Sequence, residues 1–292
     1  MKLAILGFGE AASTIAGGLS GRGPAQVRVW KRQPWTDATR SNADAVGVVL
    51  CAEATEAVDP ADIVFSLVPP GAAVEVAERA AATCRGKLYV DLNATALRAM
   101  ESAGRVIEGA GGHFVDGAIM GPLGKQKHRV STVVSGERAD EVALTLQGWE
   151  MNVRSIGTDI GLASTVKMIR SVYTKGLEAV VLECMRAADE YGATELVLES
   201  LEEILRLGPF LLPFRDMVHE LVVEQVDHAP RRAAEMEQVV KTLEEIGVEP
   251  KVAQSTLATL AEVARLGLRE QLAGQKLTPE AVLQTLRGAG SP

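Results

Sequence analysis

The first twelve residues decide the fold, because the apolar stretch Leu3-Ala4-Ile5-Leu6 runs directly into Gly7-Phe8-Gly9-Glu10-Ala11-Ala12. This Gly-x-Gly-x-x-Ala pattern predicts a strand, a tight turn and a helix. Gly7 permits the turn, Gly9 lets the backbone approach a pyrophosphate, and Ala12 allows close packing. The helix N-terminus offers N–H groups to phosphate. A ligand-free turn is the alternative; we expect a dinucleotide to contact Gly7, Phe8, Gly9, Glu10 and Ala11.

The rest of the N-terminal half repeats this alternation of strand and helix. Short apolar runs are found at residues 3–6, 27–30, 46–50, 63–68, 88–91, 114–119, 132–134 and 153–156. Alanine-rich helical stretches lie between them, at residues 11–19, 72–84 and 140–149. Strands that are apolar along their whole length are typical of a parallel sheet buried on both faces. The pattern predicts an α/β domain of the Rossmann type at residues 1–158.

After Ile156 the chain shows helical periodicity and no strand signals. Residues 161–191 have apolar positions at helical spacing and no proline, which predicts one long helix. Further helical stretches follow at residues 195–207, 214–226, 231–246, 252–272 and 279–286, with glycine or proline at the breaks. We therefore expect an all-α domain at residues 159–292, joined to the first domain by the long interdomain helix.

Composition excludes several classes of protein. The 292 residues are 47% hydrophobic and 23% charged, which excludes wholesale disorder, and the net charge of -8 does not fit a nucleic-acid-binding surface. The three cysteines lie far apart and the four histidines show no ligand spacing, so we expect neither a disulfide framework nor a metal site. The apolar start is too short for a signal peptide or a membrane span. We expect a cytoplasmic protein.

The end of the second strand is expected to select between the two nicotinamide cofactors. An acid there would bind the ribose 2′-hydroxyl of NAD, but the sequence is Val29-Trp30-Lys31-Arg32-Gln33. Lys31 and Arg32 offer two cations to a 2′-phosphate, and a guanidinium binds phosphate through paired hydrogen bonds. Two solvated charges at a strand end are the alternative interpretation. We predict NADP as the cofactor, with Arg32 as the stronger ligand.

These residues begin a series of motifs that resembles the β-hydroxyacid dehydrogenase family, which includes 6-phosphogluconate dehydrogenase. In the family's order, residues 63–69 end in Leu-Val-Pro, 90–95 resemble its Asp-x-Ser-Thr strand end, 116–122 resemble its substrate segment, and Gly161, Lys167 and Ser171 resemble the start of its interdomain helix. The resemblance is clear over about residues 1–190. It implies a homodimer through the helical domain and cofactor contacts at Val68, Pro69 and Asn93.

The resemblance also implies a reaction. The family transfers a hydride between a small β-hydroxy acid and the nicotinamide, and a lysine exchanges the hydroxyl proton. Lys167 matches that lysine, although its spacing alone suggests an ordinary helix residue with its charge at the surface. Imine reductases that resemble this fold usually lack the lysine, so Lys167 favours an NADP-dependent dehydrogenase. An NADPH-dependent imine reductase and a non-catalytic NADP-binding sensor are the alternatives.

Two positions depart from the family's pattern. Its asparagine four residues after the lysine is Ser171, which is still able to donate a hydrogen bond to the reacting oxygen, and its substrate-binding serine is Met120, which is not. We expect the backbone N–H groups of Met120 and Gly121 to be available to a substrate carboxylate. The basic segment at residues 125–129 either binds an anion or forms a solvated loop.

The remaining substrate-binding candidates suggest a small anionic substrate. Arg170 and Lys175 follow Lys167 by one and two helical turns, and they either reach substrate or pair with nearby acids. The substrate-binding set is completed by Asn93 and by four later residues, His228, Arg231, Arg232 and Glu235. For these four, ordinary charges on a solvent-exposed helix surface are the alternative interpretation.

Overall fold

The structure, a computed structural model, describes residues 1–32, 34–93 and 95–289. Gln33 and Ala94, which belong to two of the motifs above, and the last three residues of the chain lie outside these ranges. The chain forms two compact units, residues 1–173 and the chain from Thr174 onwards. The division between the units falls inside the long helix, beyond the sequence-based boundary at 158/159.

The first unit is built around one eight-stranded sheet. The strands are β1 (Lys2–Leu6), β2 (Gln26–Trp30), β3 (Val49–Leu50), β4 (Ile63–Ser66), β5 (Leu88–Asp91), β6 (His113–Ile119), β7 (Thr132–Ser135) and β8 (Val153–Ser155). The helices are α1 (Glu10–Leu19), α2 (Asp37–Val46), α3 (Ala54–Val58), α4 (Ala73–Ala81), α5 (Leu97–Gly109), α6 (Leu123–Gln126), α7 (Ala139–Gln147) and the long α8 (Leu162–Glu190), which begins here. Short 3-10 helices cover Pro70–Ala72 and Lys127–Arg129.

The strand order is β3-β2-β1-β4-β5-β6-β7-β8. Strands β1 to β6 are parallel, β7 is antiparallel to β6, and β8 is parallel to β7. An order of 3-2-1-4-5-6 is that of the Rossmann fold, so the predicted architecture is confirmed. The strand order reverses between β1 and β4, and open α/β sheets bind ligands beside the carboxyl ends of the strands at such a point.

The sheet separates two apolar layers, because alternate residues of a strand point to opposite faces. On one face, Leu3 and Ile5 pack with residues of α1 and α7. On the other face, Ala4 and Leu6 pack with residues of α3, α4 and α5. Burial on both faces explains why the central strands lack polar alternation, and it fixes the carboxyl edge of the sheet as a rigid platform.

The second unit is helical, as predicted. After α8 it contains α9 (Thr194–Ile204), α10 (Phe214–Val223), α11 (Gln225–Glu245), α12 (Lys251–Arg265), α13 (Leu268–Gln271) and α14 (Pro279–Ala289), with a 3-10 helix at Gly208–Leu211. Glu183 on α8 accepts hydrogen bonds of 2.8 Å from the backbone N–H groups of both Val252 and Ala253. This side chain therefore caps the N-terminus of α12. Within the described ranges, no helix is long and apolar enough to span a membrane.

Three of the predicted element boundaries are wrong. The expected break at Ala229-Pro230 lies inside α11, because one face of that helix buries Val226, Ala229 and Ala233 and this packing outweighs the local proline penalty. The expected strand at 46–50 shrinks to β3, since α2 continues to Val46 and ends at Gly47 with a φ of 71°. The expected helix at 252–272 is divided at Gly267, which has a φ of 59°.

Candidate cofactor and active site

The glycine turn between β1 and α1 has the geometry of a phosphate cradle. Gly7 has a φ of 103° and donates a hydrogen bond of 2.7 Å to the Trp30 carbonyl, so β1 and β2 are joined at the turn. A Cβ on Gly7 would lie 2.0 Å from the carbonyl oxygen of Leu67, whereas a Cβ on Gly9 would meet no heavy atom within 4 Å. Gly9 is also the N-cap of α1 and provides no side-chain cap. The first N–H groups of α1 are thus accessible to an anion.

An aromatic wall stands beside the turn. Phe8 is buried, and its ring centroid lies 5.7 Å from that of Trp35. The Lys31 ammonium lies 5.2 Å from the centroid of the same Trp35 ring, a cation–π geometry. Lys31 is therefore engaged with Trp35, a residue beside the glycine turn that the sequence motifs did not point to.

Arg32 has a partner that the sequence did not predict. Its Nη1 donates a 3.0 Å hydrogen bond to Glu75 on α4, and Glu75 also pairs with Arg79 at 3.0 Å. The hydrogen bond from Arg79, together with the positive charge of Arg32, lowers the pKa of Glu75. Because Arg32 and Glu75 are 43 positions apart in sequence, only the fold reveals this cluster.

Asn93 ties the ends of β4 and β5 together. Its Oδ1 accepts a 2.6 Å hydrogen bond from the Val68 N–H, and its Nδ2 donates to Ser66 Oγ at 2.8 Å and to Asp91 Oδ2 at 3.0 Å. The structure thus brings the predicted residues Val68 and Asn93 together, with exposed Pro69 next to them. Both amide hydrogens of Asn93 are used within the protein, so its Oδ1 is the atom left to accept a further bond.

A buried polar row crosses the carboxyl edge of the sheet. Ser66, Asp91, Asp116 and Ser135 are partners in register on four adjacent strands, and all four are fully buried. Burial raises the pKa of Asp91 to about 7, against the opposing effect of the Asn93 hydrogen bonds. An acid at the end of an otherwise apolar strand is the sequence signal for this row.

Asp116 holds the start of the interdomain helix. Its carboxylate accepts hydrogen bonds from the backbone N–H of Ser164, at 2.9 Å, and from the Ser164 hydroxyl. Beside it, Ser135 Oγ accepts the Ala163 N–H at 3.0 Å. Burial raises the pKa of Asp116, and the hydrogen bonds from Ser164 oppose that effect. The first turn of α8 is therefore fixed to β6 and β7.

Lys167 follows that fixed turn and lies on the same side of α8 as Ser164. It is half-buried, and burial together with the charge of Arg170 lowers its pKa. Arg170 donates a 2.7 Å hydrogen bond to the Met120 carbonyl, so the structure brings Arg170 and Met120 together. Ser171 donates its hydroxyl to the Lys167 carbonyl at 2.9 Å.

The expectation that the Met120 N–H is available to an anion is wrong. That N–H donates to the Ser131 carbonyl at 2.7 Å, because the residue continues the pairing of β6 with the chain before β7. The side chain of Met120 is half-buried and packs with Ala118, Val133 and Ala163. Neither polar group of the Met120 backbone is free, which leaves Gly121 as the backbone donor of that prediction.

The basic segment at residues 125–129 is tied to the protein at its end. His128 is buried against Gly18 of α1, where an added Cβ would lie 2.2 Å from the ring, and Arg129 pairs with Glu150. Burial and the charges of Arg129 and Arg22 lower the His128 pKa. These two residues serve packing and surface pairing in this structure.

The predicted residues on α11 belong to the second unit. Arg231 pairs with Glu235 one turn along the helix, and Arg232 pairs with Glu224. His228 is half-buried on the same helix. In the described part of the chain, no group of three or more His, Cys, Asp or Glu side chains is placed to hold a metal ion.

Two family models match the chain. Residues 2–95 match a family described as NADP oxidoreductase, coenzyme F420-dependent. Residues 188–263 match a domain of unknown function, DUF1932. The two matches fall on the Rossmann part and on the helical part, respectively.

Similar proteins extend over nearly the whole chain. An uncharacterised 28.5 kDa protein of Methanothermus fervidus is 30% identical over 256 residues, which cover 88% of this chain and 96% of that protein. A solved conserved protein of unknown function, with structural similarity to 3-hydroxyacid dehydrogenases, is 32% identical, with 91% and 99% of the two chains covered and a TM-score of 0.60. An imine reductase from Myxococcus stipitatus in complex with NADP+ is 18% identical, with 97% and 99% covered and a TM-score of 0.76. This last likeness is one of fold.

Proposed function

The chain belongs to the β-hydroxyacid dehydrogenase family of NAD(P)-dependent oxidoreductases, and we propose that it interconverts a small β-hydroxy acid and its carbonyl form with NADP. The observation that carries the proposal is Lys167, a half-buried lysine one turn beyond the helix start that buried Asp116 holds. A fixed lysine with a lowered pKa is suited to proton exchange with an alcohol.

The cofactor is held, in this proposal, by the backbone of the glycine turn and by the cations at the end of β2. The open space at Gly9 and the uncapped N-terminus of α1 fit a pyrophosphate. Phe8, Glu10 and Ala11 contribute turn backbone. Val68 and Pro69, after β4, and Asn93, after β5, contribute the other side of the proposed site. When bound, the nicotinamide accepts or supplies the hydride.

NADP rather than NAD is favoured by the residues that follow β2. Arg32 is half exposed and offers the guanidinium for a 2′-phosphate, while Lys31 adds positive charge from its place on Trp35. No acid occupies this strand end.

Lys167 acts as the general base in oxidation and as the general acid in reduction. In oxidation, the neutral amine at Nζ takes the hydroxyl proton as the carbinol carbon loses its hydride. In reduction, the ammonium returns that proton to the carbonyl oxygen. The lowered pKa increases the fraction of neutral amine near physiological pH. The Ser171 hydroxyl, which donates its one hydrogen to the Lys167 carbonyl, would have to leave that carbonyl to donate to the reacting oxygen.

Substrate binding in this proposal uses Arg170 as the nearest cation and Gly121 as a backbone donor. Arg170 already donates a hydrogen bond to the Met120 carbonyl, so its guanidinium would have to bind a substrate carboxylate with its other N–H groups. Roles in substrate binding for His228, Arg231, Arg232 and Glu235 stay predictions.

Imine reduction is the second candidate, and a specific observation favours it. The segment that binds the substrate carboxylate in the resembled family has Met120 here, whose N–H is occupied and whose side chain is apolar. An amine or imine substrate would not need that carboxylate site. Lys167 is the feature that speaks against this alternative, and a sensor without turnover is the third reading.

We also propose a homodimer that forms through the helical unit. Several apolar side chains of α8 and α9 in that unit are largely exposed, for example Leu182 at 63% and Leu196 at 69%. An apolar cavity of about 550 Å³ lies between α8, α9, α11 and α12 and is lined by Val180, Tyr191, Met236, Val239 and Ile246, among others. Large exposed apolar surface is typical of a subunit interface. The cytoplasmic location stays a prediction.

The experiment follows NADPH formation with a panel of phosphorylated and unphosphorylated β-hydroxy acids, with NAD in parallel. A second panel supplies NADPH with ketones and amines. Turnover of one hydroxy acid that prefers NADP and is lost in Lys167→Ala supports the proposal. Turnover only with ketone and amine supports imine reduction, and tight NADPH binding without any turnover supports a sensor.

A further inference from the structure

Glu75 lies between two guanidinium groups at the edge of the proposed cofactor site. Its Oε2 is 3.0 Å from Arg32 Nη1, and its Oε1 is 3.0 Å from Arg79 Nη2. Each carboxylate oxygen therefore has its own arginine. Arg32 comes from the end of β2, while Glu75 and Arg79 both belong to α4.

The two ion pairs of Glu75 are not equivalent. Arg79 is one helical turn from Glu75, binds Oε1 through both Nε and Nη2, and lies over the buried Trp30 ring at 5.9 Å. Arg32 touches Glu75 through a single nitrogen, and its side chain is 50% exposed. Arg79 is thus the fixed partner of the carboxylate, and Arg32 is the partner that another anion is able to take over.

We propose that Glu75 sets the cofactor selectivity of this site, as the counter-ion that a ribose 2′-phosphate replaces on Arg32 and as the acceptor for a free 2′-hydroxyl when no phosphate is present. The inference rests on the proposed cofactor site, but it does not require that the protein catalyse any reaction. In this proposal Glu75, on α4, takes the role of the acid that the sequence lacks after β2.

The physical consequence is a competition for Arg32. A 2′-phosphate gains the guanidinium but meets the Glu75 carboxylate, whose remaining neutralisation comes from Arg79. A 2′-hydroxyl is able to donate to that carboxylate, in the way an acid after β2 does in NAD-binding proteins. Glu75 therefore weakens the preference for NADP, and Arg32 is what maintains that preference.

The test measures the dissociation constants of NADPH and NADH by nicotinamide fluorescence with the full chain. The variants are Glu75→Gln, Arg32→Ala and the double variant of these two changes. The matched control is Glu78→Gln, the same change of charge on an exposed side chain of α4. Thermal unfolding verifies that every variant is folded.

We expect Glu75→Gln to lower the dissociation constant of NADPH about fivefold, because two like charges a few ångströms apart in water repel by about 1 kcal/mol. The affinity for NADH should stay the same or fall. Arg32→Ala is expected to reduce the preference for NADPH at least tenfold, and the double variant to bind both cofactors about equally. Glu78→Gln should leave the ratio unchanged.

Equal changes in Glu75→Gln and Glu78→Gln would overturn the inference, because they would show a general effect of net charge. An unchanged NADPH preference in Arg32→Ala, or a failure of the unsubstituted protein to bind either cofactor, would overturn it as well. Binding with the expected ratios but without turnover would contradict the proposed function alone.

Discussion

Replacing the two glycines of the turn separately distinguishes a structural role from a ligand-binding role. Gly7→Ala places a methyl group 2.0 Å from the Leu67 carbonyl oxygen at a φ of 103°, a conformation that side chains rarely adopt. Backbone strain and the displacement of the carbonyl together are expected to destabilise the first unit by about 3 to 5 kcal/mol. Moving the Gly7 backbone away from the Leu67 carbonyl would also distort the 2.7 Å hydrogen bond that the Gly7 N–H donates to the Trp30 carbonyl.

Gly9→Ala is expected to have the opposite profile. Its Cβ enters open space, and its φ of -93° is available to alanine, so the free energy of unfolding should change by less than about 1 kcal/mol. The same methyl group blocks the approach of a pyrophosphate to the turn, so NADPH binding should weaken at least about tenfold.

Urea unfolding and NADPH fluorescence titration measure the two effects. Gly109→Ala, at the end of α5 with equally open space around its Cβ, is the control for the substitution itself. Gly9→Ala with unchanged NADPH affinity would refute the turn as the pyrophosphate site. Gly7→Ala with unchanged stability would refute the reasoning from the clash.

Three further predictions concern buried polar groups. Burial raises the pKa of Asp91 to about 7, so the stability that its protonated form contributes is largest below pH 4 and is lost as the pH rises toward 7. Asp91→Asn lacks this titration. In urea unfolding, its free energy of unfolding should therefore rise relative to that of the unsubstituted protein, on the order of a few kcal/mol from pH 4 to pH 7. Asp116→Ala removes the cap from the first turn of α8 and should lower the free energy of unfolding by about 2 to 4 kcal/mol. The control, Asp140→Ala, changes an exposed acid on α7 and should lower it by less than about 0.5 kcal/mol. Equal losses in the two variants would contradict the assigned cap. Burial lowers the pKa of His128, so the stability that its neutral form contributes is present above about pH 6.5 and is lost as the pH falls below that value. If His128→Leu and the unsubstituted protein lose melting temperature equally on acidification, this prediction is contradicted.

Much of the fold was predictable because its signals are local. The apolar runs that form β1, β4 and β5 reflect burial of these strands on both faces. The turn after β1 is determined by Gly7, which has a positive φ. Helix boundaries in the second unit were less predictable. Pro230 indicates a helix break by local rules, but the burial of Val226 and Ala233 keeps α11 continuous.

The candidate site was predictable only where one residue carries the signal. Lys167 and Arg32 follow from single positions in ordered motifs. The contacts that condition them do not, because Asp116 reaches Ser164 across 48 positions and Arg32 reaches Glu75 across 43. The occupied N–H of Met120 could not be foreseen either, since it depends on how the chain before β7 pairs with the end of β6.

The central claim is that Lys167 exchanges the proton in an NADP-linked reaction. The most direct measurement is the pH dependence of kcat/KM in both directions, for the unsubstituted protein and for Lys167→Met. We expect oxidation to rise and reduction to fall with pH through one shared pKa below the usual 10.5, because the two directions need the neutral and the charged amine. Lys167→Met should lose at least about a hundredfold in both directions while it still binds NADPH. Turnover in Lys167→Met within tenfold of the unsubstituted protein, with the same pH profile, would contradict the account.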